Sequence, residues 1–274
     1  MSQAIVLCAD DYAITTPVSR AILDLAAHNR ISALSCMTAS PHWRAHGPWL
    51  ENVHSQVDIG LHITLVDEAP LTAMPKTAPK GRLPSIGTLI RKSYLGQLDL
   101  GEIAGEIDAQ MKAFEAVMGC PPQHLDGHLH THVLPGIREI VLRLAREITP
   151  RPWVRNISDK FSAMVKRGVA VRKAAFLSAL GKNFAHNTDA VMNDGFSGVY
   201  GLSPSDGDYG ALFEHFVTAP TKRHLILCHP GMDDDAVAHA DVRGGEYAFL
   251  KSPAFTALLA RHNLRVGRFA ETLP

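Results

Sequence analysis

Ala4-Ile5-Val6-Leu7-Cys8-Ala9-Asp10-Asp11 is an apolar run that ends in two carboxylates. A short apolar stretch with a charged end reads as a buried strand. Similar runs recur at 32–37, 58–65, 124–127, 153–157, 190–193, 224–228 and 265–269. Between them, apolar residues follow a helical period at 16–28, 101–118, 135–147, 161–180, 207–217 and 246–261. Strands alternating with helices argue for an α/β protein with a mainly parallel sheet. Eight strand candidates in 274 residues suit a (β/α) barrel, incomplete or distorted. A doubly wound open sheet is the alternative, but no GxGxxG follows the first strand.

Bulk composition narrows the function. Lys+Arg and Asp+Glu both number 27, so the balanced charge argues against wholesale binding to nucleic acid or anionic membrane. Cys8, Cys36, Cys120 and Cys228 are widely spaced with no CxxC, which indicates neither a zinc knuckle nor a redox pair. A reduced, cytoplasmic setting is expected, with no signal peptide and no membrane span. Residues 66–100 carry Pro70, Pro75, Pro79 and Pro84 with Gly81 and Gly87. Such a long Pro-rich connector reads as a substrate-covering insertion or a plain surface excursion. The basic segment 160–182 reads as a solvated amphipathic helix or a partner surface.

Four apolar runs end in groups that can do chemistry. One leads to Asp10-Asp11, one to His62, one to Asp126-Gly127-His128 and one to His229-Pro230-Gly231. In a parallel sheet the strand C-termini share one face, so these residues converge. Asp10-Asp11 reads either as a metal-binding carboxylate beside a general base or as a turn pair before a helix. His62 is either a core histidine or a ligand. His128, His130 and His132 alternate, so on a strand they would share one face. An open metal site needs only about three protein ligands plus water. His229 is a general acid or part of a strand-ending turn. Arg243-Gly244-Gly245-Glu246 precedes the last expected helix, as an exposed loop or as residues that orient the site.

The set Ala9-Asp10-Asp11-Tyr12, Gly60-Leu61-His62-Ile63-Thr64-Leu65, Asp126-Gly127-His128-Leu129-His130, Cys228-His229-Pro230-Gly231, and Arg243 with Glu246 before Tyr247 resembles the YdjC-like carbohydrate deacetylases. The motifs occur in family order over almost the whole chain. One departure is Tyr12-Ala13 where the family often has Phe-Gly, a change in local packing more than in chemistry. The resemblance implies a distorted TIM-like barrel forming a single domain over 1–274. It implies hydrolysis of the N-acetyl group of an amino sugar, with Asp11, His62 and His128 binding a divalent metal. Asp10 would be the base and His229 the acid. His130, Arg155, Arg243 and Glu246 would lie toward the substrate or support the site, with Arg155 orienting Asp10 or contacting substrate. Magnesium or zinc is the implied ion, and a homodimer the implied assembly.

Two rival readings remain open at this point. A metal-dependent phosphoesterase or amidohydrolase would use the alternating histidines for two or three ions. A non-catalytic sugar-binding protein would keep the barrel and dispense with Asp10 and His229.

Overall fold

The computed structural model describes residues 2–185, 188–232 and 237–273. The first apolar run becomes the central strand β1 (Gln3–Tyr12). In chain order, β2 (Ala33–Cys36), β3 (Asp58–Ile63), β4 (His124–Gly127), β5 (Trp153–Val154), β6 (Gly195–Ser197), β7 (His224–Cys228) and β8 (Leu264–Val266) follow. The sheet runs β5-β4-β3-β2-β1-β7-β6, with β8 paired to the start of β1. Every ladder is parallel. A parallel bridge between Val154 and Met192 lies just ahead of β6 in the chain and draws the far ends of the sheet toward each other. The fold is therefore the distorted (β/α) barrel, and the open sheet is set aside.

Ile5, Val6, Leu7, Cys8 and Ala9 have no exposed surface. Burying a side chain such as Ile, Val or Leu contributes about 1.5–3 kcal/mol, which explains why this run holds the centre. The helices are α1 (Thr16–Ala27), α2 (Trp43–His46), α3 (Ile86–Tyr94), α4 (Leu100–Met118), α5 (Ile137–Glu147), α6 (Phe161–Arg167), α7 (Val171–Ala185), α8 (Tyr209–Phe216), α9 (Ala240–Lys251) and α10 (Pro253–Arg261). The expected stripe on α4 is buried through Ile103, Ile107, Met111 and Phe114. Asp99 caps its start by accepting the Glu102 N–H at 3.0 Å, and left-handed Gly119 ends it. Among the described residues, no helix is long and apolar enough to cross a membrane.

Several expectations change. Residues 190–193 do not form a strand: the Asn193 side chain takes the Asn156 N–H at 2.8 Å and donates to its carbonyl at 2.7 Å. A side chain thus occupies backbone groups that a ladder would have used, and the strand forms instead at Gly195–Ser197. Segment 161–180 breaks into α6 and α7 at Gly168, whose φ is 72°. The last helical stretch splits before Pro253 into α9 and α10, so Arg243 and Glu246 lie inside a helix rather than ahead of it. Pro135 lies outside α5, whose N-cap is Gly136 at φ 84°.

Segment 66–100 is more ordered than its prolines suggested. It contains α3, and α4 pins its remainder. Glu106 accepts the Leu71 and Thr72 N–H groups, and Glu102 accepts those of Lys76 and Thr77, all within 3.0 Å.

Candidate metal centre

A bulge at the end of β1 solves the geometric problem of two adjacent carboxylates. Between Ala9 and Tyr12 the pairing with β2 slips by one residue, and Asp11 has φ 68°. Successive residues of a regular strand face opposite sides, and an inserted left-handed residue re-aims a side chain. Asp10 and Asp11 consequently line the same cavity of about 440 Å3, together with His62, His128, His130 and His229.

Asp11 is where three strands meet. Its Oδ1 lies 2.9 Å from His128 Nδ1 and 3.4 Å from His62 Nε2. One donor atom from each of Asp11, His62 and His128 falls within 4.8 Å of the others. Its second oxygen, Oδ2, accepts from Arg243 at 2.5 Å. Burial alone would push the Asp11 carboxyl up, but Arg243, then His128 and His62, hold it well below the usual carboxylate range.

Asp10 faces a different partner. Arg155 donates to both of its oxygens, at 2.6 Å each. Arg155 is wholly buried and reaches Asp10 from just beyond β5. Bidentate guanidinium–carboxylate pairs fix the plane of the acid as well as its charge.

The residue that the sequence reading left unassigned is Asp126. It sits directly across from His62 in the β3–β4 register. Its Oδ1 lies 2.6 Å from His62 Nδ1, and its Oδ2 accepts from Ser35 at 2.6 Å and forms an ion pair with Arg155 Nη2 at 2.5 Å. A signal was present: Asp126 stands two residues before His128, at the spacing that puts both on one face of a strand.

The three histidines of the cluster do not share a face. Leu129 and His130 adopt left-handed φ of 50° and 60°, which winds the segment out of a strand. His128 faces Asp11. His130 lies edge-on to Phe196 with its Nδ1 buried and unpartnered. His132 is buried, with Nε2 2.9 Å from the Arg155 carbonyl. Neither His130 nor His132 joins a group of metal-donor atoms among the described residues.

At the end of β7, burial lowers the His229 imidazole to about 4, so it is neutral at pH 7. Its backbone N–H donates to Glu246 Oε2 at 2.6 Å, while Tyr200 donates its hydroxyl to the other oxygen. Burial raises Glu246 to about 7 from the usual 4.5. A carboxyl that protonates more easily in the folded state stabilises the fold in acid. It loses that contribution as pH climbs from about 4.5 to about 7. Glu246→Gln should therefore gain stability relative to the parent chain between pH 5 and pH 8, by up to about 3 kcal/mol. Urea unfolding at a series of pH values reads this difference, and a flat difference would contradict it.

The residues present fit a divalent cation. Asp10, Asp11 and Asp126 bring three buried carboxylates against the guanidiniums of Arg155 and Arg243. Burial disfavours charge on His62, yet Asp126, Asp10 and Asp11 outweigh it and raise the imidazole to about 10. A proton on His62 therefore fills a charge deficit that a cation held by Asp11, His62 and His128 would fill instead. Two imidazoles and one carboxylate form an open three-ligand set.

A family model described as YdjC-like protein matches residues 4–261. Chitooligosaccharide deacetylases of Yersinia pestis and Yersinia pseudotuberculosis are each 28% identical over 275 residues, covering 99% of this chain and 100% of theirs. A crystal structure from Enterococcus faecalis V583, provisionally named a cellobiose-phosphate cleavage protein, matches all of both chains with a TM-score of 0.73 at 18% identity. A family 4 acetyl xylan esterase from Clostridium thermocellum, solved with a cobalt ion, matches 98% of this chain and 90% of its own at TM-score 0.50 and 10% identity. The two structural likenesses bear on the fold. With the family model spanning nearly its whole length, this chain belongs to the YdjC-like family.

Proposed function

We propose that this chain is a carbohydrate deacetylase that hydrolyses the acetamide of an N-acetylated amino sugar with the help of one divalent cation. The observation that carries the reading is the convergence of Asp11, His62 and His128 beside the Arg155-held Asp10. The names of the Yersinia relatives support the substrate class.

Asp11, His62 and His128 would hold the cation, which supplies Lewis acidity toward the acetyl carbonyl and a lowered pKa for water. Asp10 is the base. Arg155 occupies one lone-pair direction on each of its oxygens, and each keeps another for the proton of the attacking water. Because Arg155 is already in place, the carboxylate need not reorient during the reaction. His229 is the acid. Neutral at rest, it donates only after receiving a proton in the course of the reaction. His229 takes that proton up from solvent and Asp10 returns to solvent the one it takes from water, so both residues end as they began and the products are acetate and the free amine. Glu246 and Tyr200 hold the backbone at His229 in place. Arg243 balances the second oxygen of Asp11. His130 faces the cavity and stands on the substrate side. Ile86 and Ile90 of the 66–100 segment also line that cavity, which supports its reading as a substrate-covering insertion within one domain.

The two-imidazole set favours zinc over magnesium, which prefers oxygen ligands. Titration of chelated protein should give tighter binding of zinc than of magnesium at about one ion per chain. Tighter magnesium binding would contradict the assigned ligands. Among the described residues His130 and His132 join no group of donor atoms, so the alternating histidines themselves lend no support to a multinuclear phosphoesterase. An acetate-release screen over N-acetylated mono- and oligosaccharides tests the activity itself. Release from at least one is expected, and binding without turnover would favour the sugar-binding reading.

A further inference from the structure

Asp126 makes no use of solvent: it is fully buried and accepts on both oxygens. The two sides of its carboxylate differ. Oδ1 meets a single group, His62 Nδ1, at 2.6 Å. Oδ2 accepts from the Ser35 hydroxyl at 2.6 Å and lies against the positive charge of Arg155, 2.5 Å from Nη2. The Ser35 oxygen lies 3.0 Å from His124 Nε2, whose other ring nitrogen has no partner among the described residues. His124 therefore carries its proton on Nε2, pointing at Ser35, and the hydroxyl proton is left to point at Asp126.

We propose that Asp126 is a positioning residue that holds a His62 proton on Nδ1, so that Nε2, which faces Asp11, is the nitrogen that binds the cation. The inference rests on the reading of Asp11, His62 and His128 as cation ligands. An imidazole ligates through an unprotonated nitrogen, and the partner of its other nitrogen decides which one that is. Arg155 extends the arrangement. The same guanidinium that holds Asp10 holds Asp126. One buried chain, His62–Asp126–Arg155–Asp10, thus ties a candidate ligand to the candidate base.

This arrangement makes an isosteric change unusually informative. In Asp126→Asn, the Ser35 donor and the Arg155 cation favour the amide oxygen on their side. The amide NH2 then faces His62 Nδ1 and donates to it. His62 is left with its proton on Nε2, aimed at Asp11, and loses the lone pair a cation needs. Ser35→Ala removes one donor but keeps the carboxylate and the tautomer.

The test is calorimetric titration of zinc into chelated parent chain, Asp126→Asn and Ser35→Ala, with folding checked by circular dichroism. Partners of ligand histidines typically contribute about 10–100-fold in metal affinity, and the blocked nitrogen places Asp126→Asn at about 100-fold or more. Ser35→Ala should lose less than about 10-fold. Equal zinc affinity in parent chain and Asp126→Asn would overturn the relay alone. A parent chain that binds no zinc would overturn the metal reading, and the relay with it. Should Asp126→Asn fail to fold, the 15N shifts of His62 in the zinc-loaded parent chain decide. A protonated Nδ1 with a ligating Nε2 supports the proposal, and the reverse overturns it.

Discussion

Asp10→Asn should lower the turnover of acetate release by about 1,000-fold while the protein keeps about one ion per chain. The substitution preserves the shape of the side chain and one acceptor for Arg155 but removes the basicity that takes a proton from water. It also leaves Arg155 facing a neutral amide where it had a carboxylate at 2.6 Å. Arg155 retains Asp126, so the fold should survive. Metal analysis beside single-turnover acetate release separates the two halves of the site. Loss of metal together with activity would place Asp10 among the ligands and sink its assignment as base.

His128→Ala should remove both metal and activity. His128 is the most exposed of the three candidate ligands, at 18%, so its truncation opens little cavity in the core. Asp11 would keep Arg243 and His62 as partners. Zinc affinity should fall by more than the roughly 100-fold that loss of an indirect partner costs, with thermal stability of the chelated protein nearly unchanged. Full metal content and activity in this variant would overturn the ligand set. The pairing of a large metal effect with a small stability effect distinguishes a ligand from a packing histidine.

Much of the site could be read from sequence because parallel sheets write a simple code. A strand buried on both faces shows as a continuous apolar run, and the residues that end such runs meet on one edge. Asp10-Asp11, His62, His128 and His229 were legible for this reason. What escaped depended on backbone conformation or on reach. The left-handed Asp11 that turns both carboxylates inward follows from a bulge, which no residue pattern announced. The left-handed Leu129 and His130 likewise undid the even spacing of the histidines. Gly244-Gly245 read as a loop because two glycines cost a helix about 2 kcal/mol. The helix persists across them because Arg243 and Glu246, three apart on one face, are held by Asp11 and by the His229 N–H. A buried arginine and a solvated one look alike in sequence, so the second partner of Arg155, Asp126, became visible only once β3, β4 and β5 were side by side.

The central claim is that a single cation held by Asp11, His62 and His128 drives deacetylation of an amino sugar. Acetate release from N-acetylated sugars, N-acetylated chitooligosaccharides first, should be followed in one preparation before chelation, after it and after zinc is restored. The account predicts release that disappears on chelation and returns in full at about one ion per chain. Undiminished release from the metal-free protein, or none from the metal-replete protein across the sugars, would contradict it.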